Sequence, residues 1–256
     1  METTKHLYHK KDSYIPLRAE LHDQIIEKIL KGTRGNEVEP TATLIGGGSG
    51  SGKSSVIAKL LTQEHDSEFD NGIIVIDCDK IKLELPEYNQ MINSEDEMTI
   101  EAAASFVHDE SSDIADKLLQ ICIFSRRSFI YDGTMKNFVK YDAIIKQLKQ
   151  YGYLVLAYVV DVPFEIALER IQIRAEVEKR HVDTIVAFES HVYFSATFLR
   201  LKHSFDEFTL FDNTHDEVKV IAFKDEGGSE FIENQQRYKE FVSKAKMSNV
   251  MHQNKD

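Results

Sequence analysis

The chain has 256 residues, enough to bury one sizeable core, and its 42% apolar and 29% charged residues are those of an ordinary soluble globular protein. With 43 acidic against 31 basic residues the net charge is −12, which repels a long nucleic-acid backbone and leaves room only for a local basic cleft. The N-terminal METTKHLYHKKDSY lacks the apolar middle of a signal peptide, the longest apolar run (154–160) is far too short for a membrane span, and Cys78 and Cys122 lack metal-ligand spacing; the expectation is a cytoplasmic protein with buried free thiols and no membrane contact.

In chain order, Pro16 opens a predicted helix whose Leu17, Leu21, Ile25 and Ile29 recur at helical spacing until Gly32 stops it. This N-terminal helical extension, 1–35, meets the main domain, 36–225, through a polar linker over 33–40. A strand over 41–45 leads into a glycine-rich loop and a helix over 54–65. The turn Asp70-Asn71-Gly72 then precedes a strand over 73–77. A long helix over 96–124 carries Ile100, Ala104, Val107, Ile114, Leu118 and Ile121. Next come a strand (128–132), a helix (137–151), a strand (154–161), a helix from Pro163 and a helix over 183–202. Two short apolar runs, 208–211 and 218–223, read as edge strands or a hairpin. A C-terminal helix over 229–246, with Phe231, Ile232, Tyr238, Phe241 and Val242 on its apolar face, ends in a frayed tail after Met247, so 226–256 reads as an appendage packed on the sheet. Nearly continuous apolar strands separated by helices predict an α/β doubly wound parallel sheet flanked by helices. The ten histidines show no metal spacing and read as surface residues.

The loop itself, Gly47 to Ser55, carries the chemistry. Gly47, four residues, then Gly52-Lys53-Ser54 is the phosphate-binding pattern, in its required place between a strand and a helix. Gly47, Gly48, Ser49, Gly50, Ser51 and Gly52 let backbone N–H groups converge on one anion, and the helix N-terminus at Lys53, Ser54 and Ser55 adds its positive dipole. Lys53 reaches the outer phosphates and Ser54 holds Mg²⁺. The expected ligand is ATP with Mg²⁺, GTP being the lesser option.

The fate of the γ-phosphoryl group is decided at the carboxyl ends of the other strands, where ligands of such sheets bind. Asp77-Cys78-Asp79 follows one strand, and a carboxylate there, preferably Asp79, accepts the proton of an attacking hydroxyl. The competing use of these acids is as a turn or helix cap. Phe129-Ile130-Tyr131-Asp132 ends a second strand and precedes Gly133-Thr134, so Asp132 suits a magnesium ligand or a hydroxyl contact, with a cap as the plain alternative. Arg170, Arg174 and Arg180 follow the fourth strand and match the need to neutralise transition-state charge, although Glu165, Glu169, Glu176 and Glu178 offer them ordinary surface pairs. The loop and Asp79 are expected at the exits of neighbouring strands, facing each other across a gap wide enough for an alcohol.

At this point the residues carry a resemblance. From about Pro40 to Asp216 the chain resembles the zeta-toxin family of P-loop kinases, in GGGSGSGKSS, VIDCDKIKLELPEY, FVHDESSDIADKLL, FIYDGTMKNFVKYDAIIKQLKQYGYLVLAYVVDVP, ERIQIRAEVEKRHVD and FDNTHD. The resemblance implies a P-loop kinase fold, Asp79 as the base on the acceptor hydroxyl, and Lys53 as the loop lysine. It also implies Asp132 as the acid before Gly-Thr, Thr134 lining the acceptor site, and Arg174 and Arg180 embracing the triphosphate; Arg170 has no such counterpart. Family toxins phosphorylate UDP-N-acetylglucosamine and are restrained by a small antitoxin, so a nucleotide-sugar acceptor and an antitoxin partner approaching across the first helix are implied here. Two positions depart from the family pattern: Lys179-Arg180-His181-Val182-Asp183 replaces Gly-Arg followed by a proline, and Leu85-Pro86 replaces His-Pro.

The expected activity is direct transfer of the γ-phosphoryl group to a hydroxyl of a small acceptor, with the arginine segment closing to exclude water. The alternatives are the same machinery acting on another metabolite, a nucleoside or a nucleic-acid 5′-hydroxyl, and a nucleotide-dependent interaction protein without kinase activity.

Overall fold

The computed structural model describes residues 2–64, 73–178, 182–215 and 217–253. The turn at 70–72, the helix end at His65, Arg180, Asp216 and the last three residues of the tail lie outside the described residues. In chain order the elements are α1 (Thr4–Tyr8), β1 (His9–Lys10), β2 (Ser13–Tyr14), α2 (Pro16–Leu30), β3 (Thr41–Gly46), α3 (Lys53–Glu64), β4 (Ile74–Asp77), α4 (Cys78–Lys82), α5 (Pro86–Ile92), α6 (Glu97–Phe106) and α7 (His108–Phe124). The second half continues with β5 (Phe129–Asp132), α8 (Phe138–Gln150), β6 (Leu154–Asp161), α9 (Phe164–Glu178), α10 (Thr184–Leu201), β7 (Glu207–Asp212), β8 (Lys219–Lys224), β9 (Glu230–Ile232) and α11 (Gln235–Gln253).

One seven-stranded sheet runs in the order β4-β5-β3-β6-β7-β8-β9. Its first five strands are parallel, while β8 and β9 are added antiparallel. Ala42, Leu44, Ile76, Val155, Ala157 and Val159 are sealed from solvent, as strands covered on both faces must be. The protein is thus an α/β fold with helices flanking a mostly parallel sheet. The chain order makes β3 the place where successive strands change side, so the loop leaving it opens into the crevice where such sheets bind ligands. None of the helices described is long and apolar enough to cross a membrane.

Several local expectations change. The predicted helix over 96–124 is two helices, broken at Val107, whose fully buried side chain and bridge-region backbone serve as the end of α6 and the start of α7. Thr4 Oγ1 donates to the freed Phe106 carbonyl at 3.5 Å. The run 208–211 is an interior parallel strand, and its antiparallel partner β8 is followed by a further edge strand at Glu230–Ile232. Phe231 and Ile232 therefore belong to β9, where Phe231 stacks on Phe223 at 5.0 Å. The C-terminal helix starts at Gln235 and continues to Gln253, beyond the point where fraying was expected. Phe241 of α11 packs edge-on against Phe194 and Phe198 of α10.

The first long helix departs most. Leu17 is 77% exposed, whereas Arg18 and His22 are buried with Ile25 and Ile26. The cause is Glu110 on α7, whose side chain is fully buried: Arg18 Nη2 donates to it at 2.8 Å and His22 Nε2 lies 2.6 Å away. Arg18 also grips Glu87 of α5 in a fork at 2.9 and 2.8 Å and lies over the Tyr8 ring. Leu21, Ile25 and Ile29 of the apolar repeat still pack on the core, so the ionic network adds to the repeat and displaces only Leu17 from it.

Candidate active site

Register places the site. Ile45 of β3 pairs with Asp132 of β5, which in turn pairs with Asp77 of β4, so two carboxylates stand level with the root of the loop. Strand β5 lies between β3 and β4, correcting the expectation that Asp79 leaves the neighbouring strand. Asp132 occupies the neighbouring exit, and Asp79 stands one strand further out, roughly 10 Å across the sheet at the usual strand spacing.

Of the two acids at the end of β4, Asp77 is the helix cap: its Oδ1 accepts from Asp79 N at 2.8 Å and Lys80 N at 3.3 Å. Asp79 is about half exposed and receives the Nζ of nearly buried Lys82 at 3.0 Å. Lys53 folds back over the loop and donates to Gly47 O at 3.0 Å and Gly48 O at 3.4 Å. Its pKa is lowered by burial, against the pull of Asp132 and Asp79, while Arg174 adds to the lowering. Asp132 Oδ1 is buried with no hydrogen-bond partner in the structure. Burial, reinforced by Asp77 and Asp79 and opposed by Lys53, pushes its pKa up to about 6. Lys53, Asp132, Asp79, Asp77 and Arg174 therefore share one electrostatic field. A buried carboxylate oxygen without a hydrogen-bond partner is the kind of hard donor that suits a cation such as Mg²⁺.

The loop backbone is only partly available to an anion. Ser49 N donates to Ser190 Oγ at 3.0 Å, Ser51 N to Gly48 O at 3.2 Å and Ser55 N to Gly52 O at 3.1 Å. Ser51 is fully buried, its hydroxyl unpartnered. Gly52 has φ +84, and a Cβ there would sit 2.1 Å from Asn213 Nδ2, which donates to Ser51 O at 2.9 Å. Thr134 meets the loop through its carbonyl, 3.5 Å from Gly47 N. Met135, next in the chain, is held at φ +55 and packs on Gly46.

The arginines separate. Arg170 lies against the loop, with Nη2 3.4 Å from Thr214 O and a buried, unpartnered Nη1, even though the resemblance gave it no counterpart. Arg174 is exposed on α9 and its charge reaches Lys53. Leu85, at the position of the family's histidine, is fully buried in the core, and Pro86 lines a cavity beside α2 with Tyr8 and Leu17. Sequence reading missed Ser190, His191, Asn213 and Lys82. Asn213 lies inside FDNTHD and Lys82 three residues from Asp79, but nothing in spacing marks Ser190 or His191. Two histidines expected at the surface, His22 and His191, are buried. No group of three or more metal-ligating side chains occurs among the described residues.

Comparison with known proteins agrees with this geometry. The Arabidopsis thaliana calmodulin calcium-dependent NAD kinase is 31% identical over 100 residues, 39% of this chain, and the match spans about a fifth (19%) of that protein's length. Among solved structures, AvrRxo1-ORF1 in complex with AvrRxo1-ORF2 and sulphate ions superposes with a TM-score of 0.73 at 18% identity, covering 95% of this chain and 83% of that one. The same complex with ATP gives 0.69 at 18% identity, covering 95% and 82%. The PezAT toxin–antitoxin system of Streptococcus pneumoniae gives 0.63 at 16% identity, covering 78% and 79%. The sequence profile of the zeta toxin family matches residues 26–235. With most of its length matched and a phosphate loop facing two strand-end carboxylates, this chain belongs to the zeta toxin family.

Proposed function

We propose that the protein transfers the γ-phosphoryl group of ATP to a hydroxyl of a small acceptor carrying a nucleotide, with a UDP-amino sugar such as UDP-N-acetylglucosamine as the first candidate. The observation that carries this reading is the shared field of Lys53, Asp132 and Asp79 around a carboxylate oxygen with no protein partner. A site serving only as a nucleotide switch needs no hydroxyl-activating base, and Asp79, one strand beyond Asp132, supplies one in this reading.

In this reading the free amides of the loop and Lys53 hold the triphosphate. Ser54 and Asp132 hold Mg²⁺, which neutralises charge on the outer phosphates when bound. The acceptor hydroxyl lies between Thr134 and Asp79. Its oxygen attacks the γ-phosphorus, the bond to the bridging oxygen breaks, ADP leaves, and the hydroxyl proton passes to the Asp79 carboxylate. Lys82 holds that carboxylate in place at 3.0 Å. Arg174, joined by Arg180, spreads positive charge over the transferring group. A cytoplasmic site of action and restraint by a small antitoxin belong to the same proposal; the toxin–antitoxin system among its structural neighbours supports the second.

The identity to an NAD kinase favours a second acceptor, a ribose hydroxyl of NAD. Both acceptors join a nucleotide to a second hydroxyl-bearing unit through a diphosphate. Incubation with Mg·ATP and either UDP-N-acetylglucosamine or NAD, followed by mass spectrometry, separates them: one acceptor should gain a phosphoryl group while ADP accumulates in step. ADP formed with neither acceptor modified would refute both.

A further inference from the structure

Helix α10 lies against the phosphate loop at Gly48 and holds the Ser49 peptide at both its N–H and its carbonyl. Ser190 Oγ donates to Ala187 O at 2.7 Å, so its hydrogen is committed and a lone pair accepts Ser49 N–H at 3.0 Å. His191 Nε2 lies 2.7 Å from Ser49 O. A carbonyl only accepts, so Nε2 carries the proton, and the neutral ring leaves Nδ1 buried with no partner in the structure. Ser190 and His191 are almost wholly buried, at 2% and 0% exposure. The ring is wedged edge-on between Phe164 and Phe194, and a Cβ on Gly48 would strike it at 2.2 Å. Gly48 is thus required by the histidine as much as by any phosphate.

We infer that Ser190 and His191 are positioning residues for nucleotide binding: a two-point clamp that fixes the Ser49 peptide and sets the direction of the loop amides left open to phosphate. The inference rests on the nucleotide reading of the loop but names a device outside it, 141 and 142 residues away in sequence. The helix carrying the clamp runs over Thr184–Leu201 and is capped by the Asp183 side chain, which accepts from Ile185 N and Val186 N. The clamp touches neither reacting atom, and its effect falls on ground state and transition state alike.

Four proteins test it: wild type, Ser190→Ala, His191→Leu and His191→Gln, the last placing an amide N–H the same number of bonds from Cβ as Nε2. Amide hydrogen exchange is followed without ligand, and Mg·ATP is titrated separately. His191→Leu and Ser190→Ala should each speed exchange over 47–52 and weaken Mg·ATP binding by about tenfold, the scale of one lost hydrogen bond. The kcat and the acceptor KM should stay within about threefold, as for uniform binding, and His191→Gln should restore both the exchange and the affinity. Unchanged loop exchange in His191→Leu overturns the clamp, as does a Gln variant as impaired as Leu or a loss confined to kcat. A wild type with a protected loop that binds no Mg·ATP overturns the nucleotide reading instead, while the exchange data still decide the clamp.

Discussion

Two buried charge clusters in this molecule have opposite fates. At the N-terminal side, Glu110 is surrounded by Arg18 and His22, and Arg18 is shared with Glu87. Burial pushes the Glu110 pKa up, but the hydrogen bonds from Arg18 and His22 override it and bring it down to about 2. At the mouth of the loop, burial acts on Asp132 with no hydrogen bond to oppose it, and its pKa rises to about 6. The first cluster is finished by the protein itself, which marks it as structural. The second leaves Asp132 Oδ1 buried without a hydrogen-bond partner, and unfinished polarity of this kind is characteristic of functional sites.

That contrast can be broken. Replacing Arg18 with Ala strands Glu110 in the core and should cost about 3–5 kcal/mol of unfolding free energy, read by denaturant titration, with little change in turnover of the folded fraction. The Glu110 pKa is depressed on folding, so its contribution is complete above its unfolded value and drains away as pH falls through that value towards about 2. Asp132 has the opposite sign. Its folded pKa is raised, so ionising it costs stability, and this part of the stability grows as pH falls from about 6 to below the usual carboxylate value. Asp132→Asn should therefore stabilise the ligand-free protein at neutral pH by about 1 kcal/mol while depressing transfer, the exchange of stability for activity seen at functional sites. Equal loss of stability in both variants would erase the distinction between the clusters.

The parallel sheet was legible because β3, β5 and β6 are apolar runs ending at glycine or aspartate, and the loop motif names its own neighbours. The grouping of Lys53, Asp79 and Asp132 in one candidate site was legible, because each lies at or shortly after the carboxyl end of a strand. What stayed hidden was whatever depends on partners distant in sequence. The burial of Arg18 follows a carboxylate 92 residues away on α7, which no local pattern announces. At the break at Val107, the Phe106 carbonyl accepts from Thr4, a residue 102 positions away. The hold on Ser49 comes from a helix whose residues look like any buried helical face. Strand order was hidden for the same reason: nothing local says that β5 inserts between β3 and β4.

The central claim is that Asp79 takes the proton of an acceptor hydroxyl poised before the loop. Asp79→Asn tests it most directly, with Mg·ATP affinity and phosphoryl transfer measured on the same preparation. The account predicts affinity within about threefold of wild type and transfer lower by about 10²–10⁴. Transfer at the wild-type rate with the asparagine in place would contradict it.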